Sequence, residues 1–270
     1  MFTVCAVLYG DHLPLAVKLL ESLRVNSRVA DIRLGLNSVS TETSNYVHSW
    51  ALDQMRAQPV FIFEPTNNGN VGKYPLMRQM FRYGDLSDKI MWFDDDSYVD
   101  PAAGIDWWHR ADAASNKQTQ IGAIHIIMQR GKQFEVIQQQ PWFRGKIINA
   151  RHRFKFVTGG WWVANTAFLL KWDYPFPQLY HNGGDSILGE LLRQQNITPG
   201  KFPGGLQCCC EACSKKGIKP NQPVVHINVG GRQGRRGIGV KNEKYIWSDG
   251  NPNPSLEHQN FDMKVYRYEI

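Results

Sequence analysis

Three consecutive carboxylates, Asp94, Asp95 and Asp96, follow directly on the apolar run KIMWF. Like charges repel one another and resist burial, so their place at the mouth of a core strand needs a reason. A divalent cation supplies one. Two carboxylates spaced Asp-x-Asp can hold the cation, and the cation can hold a diphosphate. That neutralises the charge growing on a departing nucleotide. Hard oxygen ligands favour magnesium or manganese. The alternative, a solvated acidic patch, fits poorly with so hydrophobic a run before the cluster and YVDP straight after it.

A second cluster is CCCEAC, residues 208–213, which holds four of the five cysteines. The spacing of Cys208, Cys210 and Cys213 suits a thiolate zinc site. A redox or disulfide role and no special chemistry are the alternatives. The pattern is not that of a secreted domain stapled by spread-out disulfides.

These residues sit in a chain of 270 residues, 42% hydrophobic, which can bury a full core and excludes disorder over most of its length. The net charge of +7 permits an anionic partner without requiring one. No run reaches the ~18 apolar residues of a membrane span. MFTVCAVLYGDHLPL lacks a basic flank and a cleavage site, so it reads as a first strand, not a signal peptide. The expected compartment is the cytoplasm, the host's if the chain is viral.

The elements that position the aspartates follow from periodicity. FTVCAVLYG, DIRLGLNS, PVFIFEP and DKIMWFDDD are apolar, β-rich runs. Helical patterns separate them: one after Pro14 on Leu15, Leu19, Leu20 and Leu23, one after Thr43 and Ser44 on Val47, Trp50, Ala51 and Met55, and LMRQMFRYG. Alternating strands and helices imply a mostly parallel sheet with helices on its faces. The binding crevice of such a sheet lies at the carboxyl ends of its strands, where the aspartates stand. Further on, QIGAIHIIMQ reads as a strand. FVTGGWWVANTAFLLKW reads as a strand, a tight Gly-Gly turn and a helix. GGDSILGELLRQQN reads as a helix with Asp185 near its start, and QPVVHINVG as a late strand. One domain over 1–229, its halves dividing near residue 100, with a basic, then polar and irregular C-terminal extension over 230–270, is the economical reading.

WFDDDSYV resembles the metal motif of nucleotide-sugar glycosyltransferases of the GT-A fold, and is especially similar to that of the fringe-like β-1,3-glycosyltransferases. FVTGGWWVANTAFL resembles that group's glycine-rich turn and helix beside the acceptor. GGDSILGELLRQQ is similar to its acidic motif, with Gly184-Asp185 where the family has an acidic pair. Order and spacing fit over about residues 2–230, as in a viral or microbial relative.

The resemblance implies a GT-A-type mixed sheet, an inverting transfer and a set of roles. Asp96 is the first metal ligand. Asp94 binds the metal through water or holds the donor's sugar or ribose, and Asp95 contacts either. His226 adds an imidazole ligand, or is a packed strand histidine. Asp185 is the general base for the acceptor hydroxyl, or a helix N-terminal residue favoured by the dipole. Tyr9 and Asp11 face the donor's base, uracil first among candidates. Lys73, then Arg78, lies near the donor phosphates, or on a solvated surface.

The acceptor is less defined. Arg144, Lys146, Arg151, Arg153 and Lys155 are interleaved with Phe143, Phe154 and Phe156, and GGRQGRRG follows His226. Basic groups track phosphates and aromatics stack on bases. A hydroxyl on modified DNA is one expectation. A glycan, lipopolysaccharide or protein is the other. A non-catalytic binding protein for nucleic acid or sugar and a metal-dependent nuclease are the rival classes.

Overall fold

The structure is a computed structural model that describes residues 1–10, 12–24, 27–67, 69–95, 97–99, 106–129, 137–146, 153–180, 184–201, 206–208, 224–226 and 260–270. The first half alternates as expected. β1 (Phe2–Gly10), β2 (Val29–Val39), β3 (Val60–Pro65) and β4 (Lys89–Asp94) are separated by α1 (Leu13–Ser22), α2 (Thr41–Gln54) and α3 (Lys73–Arg82). Pro14 sits in the first turn of α1. Ser40 caps α2, its hydroxyl accepting from the Thr43 amide at 3.2 Å, so Thr43 and Ser44 lie inside the helix and not before it.

With β6 (Ile121–Gln129), β7 (Arg153–Asn165), β8 (Gly200–Lys201) and β11 (Met263–Tyr268), the main sheet has eight strands in the order β11-β3-β2-β1-β4-β7-β6-β8. β3, β2, β1 and β4 run parallel, and β1 is buried along nearly its whole length, as a central parallel strand must be. Alternate side chains of β1 and β4 feed two cores. Val4, Ala6, Leu8, Met91 and Phe93 meet one, with side chains of α1 and α2. Cys5, Val7, Ile90 and Trp92 meet the other, with side chains of α3. Asp94 pairs with Val7 and shares the Trp92 face by the same alternation. That face is also covered by α6 (Gly184–Gln194).

The second half is mixed. β6 (Ile121–Gln129) and β7 (Arg153–Asn165) are antiparallel, and β7 also pairs antiparallel with β4. The expected Gly-Gly turn is not a turn. Gly159 and Gly160 lie within continuous β7, where the register jumps from Val157↔His125 to Trp162↔Ala123. Extra residues in one strand make a bulge, and glycine suits that backbone. The two tryptophans after it straddle the sheet: Trp162 stacks on Trp92 at 6.1 Å in one core, and Trp161 meets Trp107 at 5.6 Å in the other. α5 (Thr166–Lys171) follows β7, and β8 (Gly200–Lys201) extends the sheet beside β6.

Of the elements that follow, β10 (Val224–His226) is the expected late strand in QPVVHINVG, and the others were not anticipated. α4 (Asp106–Ala114) buries Trp107 and Trp108. β5 (Ser97–Val99), β9 (Leu206–Cys208) and β10 (Val224–His226) form a small second sheet that begins just after the aspartates. In the stretch expected as an extension, MKVYRY forms β11 (Met263–Tyr268), antiparallel to β3 at the edge of the main sheet. No described helix is long and apolar enough to cross a membrane.

Candidate active site

The parallel strands end along one edge, and β4 ends there at Asp94. Its Oδ1 accepts from the Lys73 ammonium at 2.5 Å and from the Trp92 indole Nε1 at 3.0 Å. Lys73 opens α3, and its ammonium also lies 5.3 Å from the Trp92 ring centre. A carboxylate mostly out of water is thus held by one full charge and one neutral donor.

The next residue along α3 reaches the second carboxylate. Tyr74 is buried, and its hydroxyl donates to Asp185 Oδ1 over 3.4 Å. Asp185 is the second residue of α6, partly buried in the wall that faces Asp94 and Lys73. Burial pushes its carboxyl up to about 6. Lys73 and the Tyr74 hydroxyl pull it down, and the negative charge of Asp94 pushes it up. Gly184, just before Asp185, makes room for this arrangement. A Cβ on Gly184 would come within 2.2 Å of the Tyr74 ring and hydroxyl.

A polar cluster lies beside these groups, at the start of α3. Asn37, level with Tyr9 across β1 and β2, donates from Nδ2 to Asn70 Oδ1 at 2.9 Å and accepts from the Val71 amide at 3.0 Å. Asn70 Nδ2 approaches the Tyr9 hydroxyl at 3.4 Å. Tyr180 donates from its hydroxyl to the Asn70 carbonyl at 2.9 Å and accepts the Tyr74 amide on its own carbonyl at 3.0 Å. Gly72, at φ +85°, fits against Tyr180 where a Cβ would approach to 2.7 Å. These contacts fix the start of α3, and with it Lys73 and Tyr74.

The structure therefore brings Lys73, Asp94 and Asp185 together, with Asp95 one residue on and Tyr9 at the same strand edge. Arg78 is not brought there. It is buried further along α3. Its guanidinium donates to the Asp173 carboxylate at 2.8 Å, to the Pro175 carbonyl at 2.5 Å and to the Asp173 carbonyl at 3.2 Å. It ties α3 to the loop after α5. Asp11 and Asp96 lie outside the described residues, as do Cys210 and Cys213. For His226 and Cys208 only the backbone is described, and its register is informative. His226 pairs with Cys208 and Cys208 with Ser97, so His226 stands level with the residue after Asp96, two strands away. Among the described residues, no three His, Cys, Asp or Glu side chains group as a metal site.

In the basic aromatic segment, Phe143 packs against the core. Lys146 donates to the Arg193 carbonyl at 2.8 Å and to Asn196 Oδ1, closing the end of α6. These two residues serve packing and capping. Arg144 is exposed; Arg151 lies outside the described residues, and for Arg153, Phe154, Lys155 and Phe156 only the backbone is described. Sequence reasoning did not single out Tyr74, Asn37 or Asn70. A tyrosine or asparagine outside a motif carries no signal of its own, and for Tyr74 the one available sign was the unusual Gly184.

No protein-family model matches the chain, and no curated protein matches it. Solved structures do. A mannosyltransferase from Pyrobaculum calidifontis, PcManGT, in complex with GDP-Man and Mn2+, is similar at a TM-score of 0.52 and 13% identity, covering 90% of this chain and 65% of that one. A structure of GalNAc-T7 with UDP, GalNAc and Mn2+ is similar at a TM-score of 0.52 and 14% identity, covering 75% of this chain and 42% of that one. The chain thus spans less than two thirds of the length of either. At such identities the likeness concerns the fold, and the fold is GT-A: a mixed, mostly parallel sheet between helices, with Asp94 at the end of its strand.

Proposed function

We propose that the protein is a nucleotide-sugar-dependent glycosyltransferase that moves a sugar from a UDP-sugar, or a similar donor, to an acceptor hydroxyl with inversion. One observation carries this reading. A carboxylate–ammonium pair, Asp94 and Lys73, lies close enough to a second carboxyl, Asp185, raised to about 6, for both charges to act on it, at the strand edge of a GT-A fold. At neutral pH Asp185 is mostly ionised yet more basic than an ordinary carboxylate, as a general base should be. It takes the proton of the acceptor hydroxyl while that oxygen bonds to the anomeric carbon. The bond from that carbon to the phosphate oxygen breaks, and the nucleoside diphosphate leaves with the electron pair. Direct attack from the opposite face inverts the anomeric centre.

The donor set fits a hard divalent cation, manganese or magnesium. Asp94, Asp96 and the imidazole of His226 would hold it, with Asp95 toward the donor. When bound, the cation supplies positive charge to the diphosphate. Lys73 adds an ammonium on the donor side, and Tyr9 and Asp11 border the donor's base. Arg78 has no part, because Asp173 and Pro175 engage its guanidinium. The acceptor hydroxyl is proposed to lie on modified DNA or another anionic polymer, from the basic strips around Arg144 and Arg232 alone. A glycan, lipopolysaccharide or protein acceptor is the alternative.

The test is a panel of UDP- and GDP-sugars with manganese, read as release of nucleoside diphosphate. Release with one donor above the others is expected. Background release with all donors, from folded protein, overturns the enzyme reading in favour of a binding protein. Duplex DNA binding across a salt series tests the polymer: affinity that falls steeply with salt supports it, and no binding at low salt removes it.

A further inference from the structure

Asp185 offers two oxygens, and a base works with one of them aimed at its proton. Oδ1 already accepts from the Tyr74 hydroxyl at 3.4 Å. We infer that Tyr74 is the positioning residue of the site: seated on Gly184, its phenol holds Asp185 Oδ1 and leaves Oδ2 to take the proton of the acceptor. The inference rests on the reading of Asp185 as the base.

Three observations support it beyond the contact itself. The ring lies so close to Gly184 that a Cβ there would meet Cζ and Oη at 2.2 Å, so the residue before the base is kept bare for the tyrosine. The backbone of Tyr74 is pinned through its amide to the Tyr180 carbonyl at 3.0 Å, and Tyr180 is itself bonded to Asn70 at 2.9 Å. The phenol therefore approaches Asp185 from a fixed backbone. Burial, followed by the nearby charge of Asp185, raises the phenol's own pKa well above the usual value, so it stays a donor over the working range. A hydrogen bond of this length in a free enzyme is of the kind that tightens once substrate fills the cleft.

The other groups that act on Asp185 belong to different elements. The Lys73 ammonium from α3 favours the ionised form, and the Asp94 carboxylate from β4 opposes it. Tyr174, in the loop after α5, is buried and feels the charge of Asp185. Tyr74 is the one among them whose hydroxyl hydrogen-bonds the carboxylate in the described structure. Its removal changes both the aim and the basicity of Asp185.

The experiment uses Tyr74→Phe, which keeps the ring on Gly184 and removes only the hydroxyl. Carbon NMR of aspartate side-chain carboxyls follows the Asp185 midpoint through a pH titration, assigned by loss of its signal in Asp185→Asn. Release of UDP from a UDP-sugar with manganese is measured over the same range. In Tyr74→Phe the midpoint is expected to rise above the wild-type value, and the acid limb of the rate profile to rise with it. The kcat is expected to fall about tenfold with little change in the donor KM, as for an interaction used in the transition state. An unchanged midpoint and profile in folded Tyr74→Phe overturns the inference. Asp185→Asn separates the two ideas. Full turnover in that variant removes the base reading and the inference together, whereas an inactive Asp185→Asn beside an unaffected Tyr74→Phe removes the inference alone.

Discussion

Gly184 and the ring of Tyr74 are in contact with no space between them: a Cβ on Gly184 would sit 2.2 Å from Tyr74 Cζ and Oη. Gly184→Ala must therefore push the ring, which is buried among core side chains. Alanine helps a helix by up to ~1 kcal/mol over glycine, and less in its first turn. Overpacking a fixed core costs about 1–3 kcal/mol. The clash outweighs the propensity, so the variant is expected to melt at lower temperature than the wild type. A melting point equal to or above the wild type's would show that the ring moves aside at no cost.

Asp185 carries a pH-dependent cost to folding. Its carboxyl rises from 3.8 to about 6 in the fold, chiefly through burial. A raised carboxyl favours the protonated fold, so this stability is complete below about 3.8 and is lost as pH rises through about 6. Asp185→Asn keeps an oxygen for the Tyr74 hydroxyl and removes the charge. It is expected to be more stable than the wild type by about 1–3 kcal/mol near pH 8, with the gap closing toward pH 4. Denaturant unfolding at several pH values measures this. A gap that is constant with pH would place the carboxyl at its ordinary value.

How much of this could be read in the sequence depended on whether a signal was periodic or local. The alternating strands and helices of the first half were legible because apolar spacing is dictated by the sheet and the helix faces, and the aspartates stood out as charge against an apolar strand. Short elements were not. β5 and β9 have only three residues each, and β11 has six with a half-exposed pattern. They exist because a neighbouring strand offers free backbone groups, which no local pattern records. Gly159-Gly160 looked like a turn because glycine marks turns and bulges alike. Lys73, then Arg78, were both expected near the donor phosphates, as basic residues before the strand that ends at Asp94. What separates them is tertiary: Asp173 lies beside one and Asp94 beside the other.

The C-terminal strand is held by a pH-sensitive contact. His48 on α2 shares a 2.6 Å hydrogen bond between Nδ1 and the Tyr268 hydroxyl, and packs edge-on to Tyr266 at 4.8 Å. Burial holds its pKa below the usual histidine value, while Glu64, 3.9 Å away, works in the opposite direction. A depressed imidazole favours the neutral form in the fold. Its contribution is complete above about 6.5 and is lost as pH falls through the lower folded value. Amides of β11, residues 263–268, are expected to exchange faster at about pH 5 than at neutral pH, after correction for intrinsic rates, and to lose this difference in His48→Ala. Equal protection at both pH values in the wild type would count against the contact.

Lys73 and Arg78 can be told apart by replacing each with methionine. Arg78 is buried, and its loss strands the Pro175 carbonyl and breaks the link to Asp173. Breaking a buried pair from one side costs about 3–5 kcal/mol. Asp173 is half exposed, which puts this pair at the lower end. Arg78→Met is thus expected to lower the melting temperature by several degrees, while folded protein binds UDP with manganese as the wild type does. Lys73 is different. Its pair with Asp94 is mostly out of water on both sides, so its removal leaves that carboxylate short of a partner and costs about 1–3 kcal/mol of stability. A charged hydrogen bond to a diphosphate contributes about 1.5–3 kcal/mol, so Lys73→Met is expected to weaken UDP binding by roughly 10–100-fold. The same change withdraws the charge that lowers the Asp185 carboxyl, so any remaining turnover should need a higher pH. Calorimetric titration with UDP and manganese, beside thermal melting, reads both variants. Wild-type UDP affinity in Lys73→Met would remove Lys73 from the donor side and leave its ammonium only the task of balancing Asp94.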